Sequence, residues 1–223
     1  MYLAIEGVIG VGKTTLARLL QPIFSAELLL EVFEENPFLK LFYQDRERYA
    51  FQTQIFFLLS RYSQQHQAVP EALQRGTLID DYTFAKDALF ARINLHGDEM
   101  VMYQRVHEAL AERIPPPDLI VYLRADTEAL MQRIAQRDRP YERQMDRAYI
   151  DQLNGAYEDF LRQPLHGVAV LPIDTNHLNF VHSREDLDFI AQRVRGALGL
   201  VPYQPELPLP GPGRASPSAE RRA

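Results

Sequence analysis

The chain has 223 residues, a formal net charge of −6 and no cysteine. That length suits one medium α/β domain with a developed core, and the missing cysteine excludes disulfides, zinc–thiolate sites and thiol nucleophiles. The acidic balance argues against a nucleic-acid backbone as the main partner and favours a small-molecule substrate.

Short continuous apolar runs at 2–6, 26–33, 77–80, 118–124 and 167–173 predict buried parallel strands. Apolar residues at three- and four-residue spacing predict helices over 13–24, 46–66, 83–93, 98–113, 126–136, 146–162 and 183–197. The first run starts at residue 2, which leaves no room for a signal or transit peptide, and no apolar run could cross a bilayer. A cytoplasmic protein with no membrane partner is expected.

Between the first strand and the first helix lies Gly7-Val8-Ile9-Gly10-Val11-Gly12-Lys13-Thr14, the phosphate-binding pattern G-x4-G-K-T. Its glycines let successive backbone N–H groups point at phosphate oxygens, and the helix that follows adds a favourable dipole. Lys13 would reach the β- and γ-phosphates, while the Thr14 hydroxyl would help to hold Mg²⁺. A nucleoside triphosphate is the expected ligand. Strands alternating with helices, with this loop at the first crossover, imply a doubly wound parallel sheet whose ligands sit at the carboxyl ends of the strands.

Phosphoryl transfer also needs a base for the attacking hydroxyl and an anchor for the metal. Glu31, at the end of the second apolar run, and Asp80-Asp81, at the end of the third, are the carboxylates at that sheet edge. A solvated strand-end charge is the plain alternative for each. The helix from Arg46 carries Gln54 and Arg61 on one face, two turns apart, among bulky apolar residues. Such groups require partners, either within the core or along the edge of a flat heterocycle, and Asp87 is the natural counter-charge for Arg61.

Pro115-Pro116-Pro117 ends one helix and feeds the fourth strand. Beyond that strand, Arg133, Arg137, Arg139 and Arg143 cluster around a helix that breaks before Pro140. They form either a solvated charged face or a mobile lid whose guanidinium groups close on the transferring phosphate. From Val201 to Ala223 the composition turns to Pro, Gly, Ser and charge, which predicts a disordered tail after a domain spanning 1–200.

Taken together, these motifs resemble those of the deoxyribonucleoside kinases, from Tyr2 to about Val194. Glu6-Gly7-Val8-Ile9-Gly10-Val11-Gly12-Lys13-Thr14-Thr15 resembles the family's E-G-x-I-G-x-G-K-T-T, and Glu31-Val32-Phe33-Glu34-Glu35-Asn36-Pro37-Phe38-Leu39 is similar to its E-P-V-x-x-N-P-F/Y-L. The likeness continues through Phe51-Gln52-Thr53-Gln54, Ser60-Arg61 and the arginine-rich lid. It implies a P-loop kinase fold: a parallel five-stranded sheet flanked by helices, with an arginine-rich lid. It also implies ATP- and Mg²⁺-dependent phosphorylation of a deoxyribonucleoside 5′-hydroxyl by a homodimer.

The roles implied are Glu31 as the base, with Lys13, Arg137 and Arg139 assisting catalysis. Residues Gly7 to Thr15, with Arg133, Arg137, Asp174 and His177, would hold ATP, and Thr14 and Asp81 the metal. Tyr43 and Glu142 would hold the sugar 3′-hydroxyl, Gln54 would read the base edge, and Arg61 and Asp87 would form a base-reading pair. The family usually has Glu/Asp-Arg-Ser after its third strand, whereas this chain has Asp81-Tyr82-Thr83. The arginine is therefore missing, and Lys86 is the candidate for the lost charge. This variant resembles bacterial deoxyguanosine kinases, which makes deoxyguanosine the expected substrate and deoxyadenosine or deoxycytidine the alternative. A nucleoside monophosphate kinase such as thymidylate kinase would need arginines near Glu31, where the segment is acidic. A regulatory NTP-binding module without turnover is the reading from a different class.

Overall fold

The computed structural model describes residues 1–143, 145–162, 165 and 167–200; the expected tail, 201–223, lies outside them. The sheet has five parallel strands in the order β2-β3-β1-β4-β5. These are β1 (Tyr2–Glu6), β2 (Ala26–Leu29), β3 (Thr77–Asp80), β4 (Leu119–Arg124) and β5 (Ala169–Asp174). Strands β1, β3 and β4 are buried almost throughout because helices cover both faces, which is why their sequences read as unbroken apolar runs.

Among the described residues eight α-helices connect or follow the strands: α1 (Lys13–Phe24), α2 (Leu39–Gln44), α3 (Arg46–Arg75), α4 (Lys86–Asn94), α5 (Gly97–Ala111), α6 (Thr127–Arg137), α7 (Arg147–Arg162) and α8 (Arg184–Ala197). The chain leaves β1 toward β2 on one side and β4 toward β5 on the other. Their carboxyl ends part there and leave the crevice expected at such a switch point.

Three elements depart from the sequence expectation. Strand β2 stops at Leu29 rather than residue 33, because β3 offers no further partner; the Asp81 carboxylate instead accepts the N–H of Glu31 at 2.8 Å. Glu31 therefore stands two residues past the strand end, in the turn that leads to α2. Helix α3 runs to Arg75 rather than 66, since buried Gln65, Val69 and Ala72 continue its inner face past the polar stretch and Pro70. Short α2 was not anticipated; it is held by Leu39 and Phe42, both buried.

The P-loop is fixed by two close approaches. Gly10, at φ 88°, leaves only 2.7 Å between an added Cβ and Ile134 Cγ1, and a Cβ on Gly7 would stand 2.5 Å from the Leu123 carbonyl oxygen. The loop can lie against β4 and α6 only because these positions carry no side chain. Its start is anchored by Glu6, which is 1 % exposed. That carboxylate accepts from Thr83 N (2.6 Å), Thr83 Oγ1 (2.8 Å), Tyr157 Oη (3.1 Å) and Gly7 N (3.3 Å). One buried carboxylate thus ties β1 to the segment before α4 and to α7. Glu6→Ala would orphan those donors, so it is expected to cost about 3 kcal/mol in urea unfolding, and Glu6→Gln less.

Candidate active site

Two clefts open at the carboxyl ends of the strands. The first encloses about 830 Å³, counting space open to solvent, between α2, α3, α4 and the segment after α6. The second, an open groove of about 1590 Å³, runs between the P-loop, α6 and the segment after β5. Gly10 and Arg137 line both, so the clefts meet beside the P-loop.

Glu31 is the centre of the first cleft. Its Oε1 accepts from Arg61 of α3, through Nε at 3.0 Å and also through Nη2, and its Oε2 accepts from Lys86 Nζ of α4 at 2.8 Å. Burial works against the charged form, but Arg61 and then Lys86 outweigh it and hold the carboxyl well below its usual range. The group is an anion at any physiological pH, able to accept a hydrogen bond from an alcohol.

Asp81, 3 % exposed, accepts the Thr14 hydroxyl on Oδ2 and the Glu31 N–H on Oδ1. One hydroxyl and one carboxylate beside a phosphate loop fit Mg²⁺, which binds few protein oxygens and completes its shell with phosphates and water. Among the described residues no cluster of three acidic or histidine side chains offers a fuller protein cage. Lys13 folds back onto the loop, donating to the carbonyls of Gly7 (2.7 Å) and Val8 (3.2 Å). Burial, with the Lys86 charge, lowers its ammonium to about 8.

Gln54, 2 % exposed, lines the first cleft, and its Oε1 has no hydrogen-bond partner among the described residues. Arg61 faces the same space. Of the five N–H donors of a guanidinium, three are directed at Glu31 and Asp87, which leaves two. Asp87 itself is 0 % exposed and does not line the cleft. This corrects its expected place: it pairs with Arg61 without lining the cleft, so of the three residues expected at a base edge only Gln54 and Arg61 face that space.

Tyr43 and Glu142 both line the far wall. Burial, then neighbouring Tyr149 and Glu142, push the Tyr43 hydroxyl well above its ordinary value, so it remains a donor. Arg137 donates to Glu142 Oε2 through Nη2 (2.6 Å) and Nε (3.1 Å), and Arg139 stands 4.1 Å from the Phe33 ring centroid. These two lid arginines therefore reach into the first cleft.

The other two lid arginines do not. Arg133 braces the second groove, donating to Thr175 O (2.6 Å), Thr175 Oγ1 (3.0 Å) and Val11 O (3.4 Å), and Arg143 pairs with Asp138 at the surface. Asp174 and His177 are exposed and outside the second groove; Asn176, Leu178 and Phe180 line it instead, with Phe180 lying over Gly12. The loop expected beside ATP does border this groove, but through other side chains than the two expected, because a loop without a regular period gives no clue to which residues turn inward.

A phosphate-binding loop adjoining a polar cleft that holds a carboxylate between two cations defines a P-loop phosphotransferase. Residues 3–198 match the family model for "Deoxynucleoside kinase", and the chain belongs to that family. A deoxyguanosine kinase of Bacillus subtilis is 34 % identical over 198 residues, covering 87 % of this chain and 96 % of that one. A deoxyadenosine kinase of Dictyostelium discoideum is 33 % identical over 199 residues, covering 87 % and 78 %. Among solved structures, deoxyadenosine kinase from M. mycoides with bound dCTP superposes with a TM-score of 0.74 at 25 % identity, covering 88 % of this chain and all of that one. The protein is accordingly a deoxynucleoside kinase, a transferase of nucleotide salvage, and such enzymes use ATP as donor, generally with Mg²⁺.

Because Arg137 lines both clefts, Arg137→Ala is expected to lower kcat by roughly two orders of magnitude, the scale for losing one preorganised donor. Steady-state kinetics with either substrate varied would show it.

Proposed function

We propose that the chain transfers the γ-phosphoryl group of ATP to the 5′-hydroxyl of deoxyguanosine. The observation that carries the substrate choice is the first cleft, lined by Arg61, which keeps two N–H donors beyond those paired with Glu31 and Asp87, and by Gln54, whose carbonyl oxygen has no partner among the described residues. Guanine presents two adjacent acceptors, O6 and N7, which suit a guanidinium, while its N1–H suits the Gln54 oxygen. Adenine sets an amino donor beside N7, and cytosine offers a donor where guanine has O6. The similarity to a deoxyguanosine kinase supports the same choice.

In this reading the P-loop amides and Lys13 hold the donor phosphates, Thr14 and Asp81 hold Mg²⁺, and Tyr43 and Glu142 hold the sugar 3′-hydroxyl. Bound Mg²⁺ supplies charge neutralisation to the phosphates. Glu31 orients the 5′-hydroxyl. The bond from that oxygen to the γ-phosphorus forms, the bond from phosphorus to the bridging oxygen breaks, and the hydroxyl proton passes to Glu31. ADP leaves. Arg137 and Arg139 meet the charge on the transferring group once the 3′-hydroxyl engages Glu142.

A homodimer is part of the proposal. Leu59 of α3 and Val101 and Met102 of α5 are about half exposed on two neighbouring helices, a surface suited to a second copy. No described helix is long and apolar enough to cross a membrane, which is compatible with the cytoplasmic location we assign.

A coupled assay of ATP against the four deoxynucleosides tests the reading. Deoxyguanosine is expected to have the highest kcat/KM, and a higher value for deoxyadenosine or deoxycytidine would overturn the choice. Glu31→Gln should lower kcat at least 100-fold while nucleoside binding persists, because an amide cannot accept the proton. Near-normal turnover in that variant would remove the base assignment. Gln54→Ala should compress the ranking among bases; an unchanged ranking would make Gln54 a core group.

A further inference from the structure

The residue that follows Asp81 is a tyrosine, and it does not face the cleft. Tyr82 is 0 % exposed; its hydroxyl donates to Gln64 Oε1 at 2.6 Å, and Gln64 Nε2 donates to the Leu30 carbonyl at 3.0 Å. Its ring lies under Arg61, with the guanidinium carbon 5.9 Å from the ring centroid. Position 82 therefore braces the backbone that leads into Glu31 and brings no charge to the reacting atoms.

The charge arrives from the next helix. Lys86, in the first turn of α4, is 5 % exposed and lines the first cleft. Among the described residues its ammonium has one hydrogen-bond acceptor, Glu31 Oε2. An ammonium has three N–H groups, so two remain to be satisfied in a largely desolvated place. Arg61 already occupies the other oxygen of Glu31, so the carboxylate is fixed from both sides and cannot turn to meet either cation better.

We propose that Lys86 is a positioning residue for the acceptor hydroxyl: it fixes Glu31 Oε2 and turns its remaining N–H groups toward the 5′-oxygen and the arriving phosphoryl group. Two residues divide the support of Glu31. Lys86 supplies the charge, and Tyr82 supplies the packing that sets the Glu31 backbone. The step is the one given above, with the proton ending on Glu31 and the ammonium unchanged. The inference rests on the proposed 5′-phosphorylation.

The test compares Lys86→Met, which keeps the stem without the charge, and Lys86→Arg with the wild-type chain and with Tyr82→Phe. It uses kcat, KM for each substrate, nucleoside Kd by calorimetry, and thermal melting. Lys86→Met is expected to lose roughly 100-fold in kcat, the scale for one removed donor, with nucleoside Kd and KM for ATP within a few-fold of wild type. Lys86→Arg should recover much of that loss, and Tyr82→Phe should melt lower without a comparable fall in kcat. A kcat for folded Lys86→Met within threefold of wild type would overturn the inference, as would Lys86→Arg being no better than Lys86→Met. If Lys86→Met does not fold, Lys86→Arg and Tyr82→Phe decide it: a kcat fall in Tyr82→Phe larger than in Lys86→Arg would place the charge-bearing role elsewhere. Failure of the wild-type chain to phosphorylate any deoxynucleoside would instead sink the function itself.

Discussion

The structure around the first cleft depends on one half-buried anion held between two cations. A carboxylate removed from water is costly unless it is paired and hydrogen-bonded on both oxygens. Glu31 meets that demand with Arg61 from α3 and Lys86 from α4. Asp87 balances Arg61 from behind, and Asp81 fixes the Glu31 backbone and touches Thr14 of the P-loop. The pairing therefore sets the register of two helices against the sheet and connects acceptor and donor sides through a single carboxylate. It also keeps the group ionised, so its strength as a base is limited until a substrate alcohol enters. A loose phosphoryl-transfer transition state suits such a base, because the alcohol becomes acidic only as its bond to phosphorus forms.

The second constraint is the junction of the clefts. Gly10 and Arg137 belong to both, and Arg137 is held by Glu142. In the proposed reading the same carboxylate also receives the sugar 3′-hydroxyl, so Arg137 and the nucleoside would compete for one group. Phe33, under Arg139, and the stacked pair Tyr43–Tyr141, at 6.1 Å, make the wall beside that segment.

Much of this was legible before the structure. Continuous apolar runs marked the strands because the sheet is covered on both faces, and the G-x4-G-K-T pattern located the crevice. The seven-residue spacing of Gln54 and Arg61 put them on one helix face, and both do line the cleft. What was not legible depended on side-chain direction. Asp87 is a charged residue near the site whether it faces the cleft or backs Arg61, and only the fold separates the two. The ends of β2 and α3 depend on contacts that local pattern does not show: the Asp81 carboxylate for one, and an inner face continued by buried Gln65, Val69 and Ala72 for the other. Gln65, which looks polar and exposed in sequence, is 0 % exposed and donates to Asp80 at 2.8 Å. Burial pushes the Asp80 carboxyl well above its usual range, while donors from Gln65, Tyr2 and the Tyr82 N–H satisfy its oxygens.

The most direct measurement is a crystal structure of the protein with deoxyguanosine in the first cleft. The account predicts the 5′-oxygen within hydrogen-bond reach of the residue 31 carboxylate, about 2.6–3.2 Å, with the guanine edge against Gln54 and Arg61. A nucleoside bound in the opposite sense, with its sugar away from that carboxylate, would contradict it.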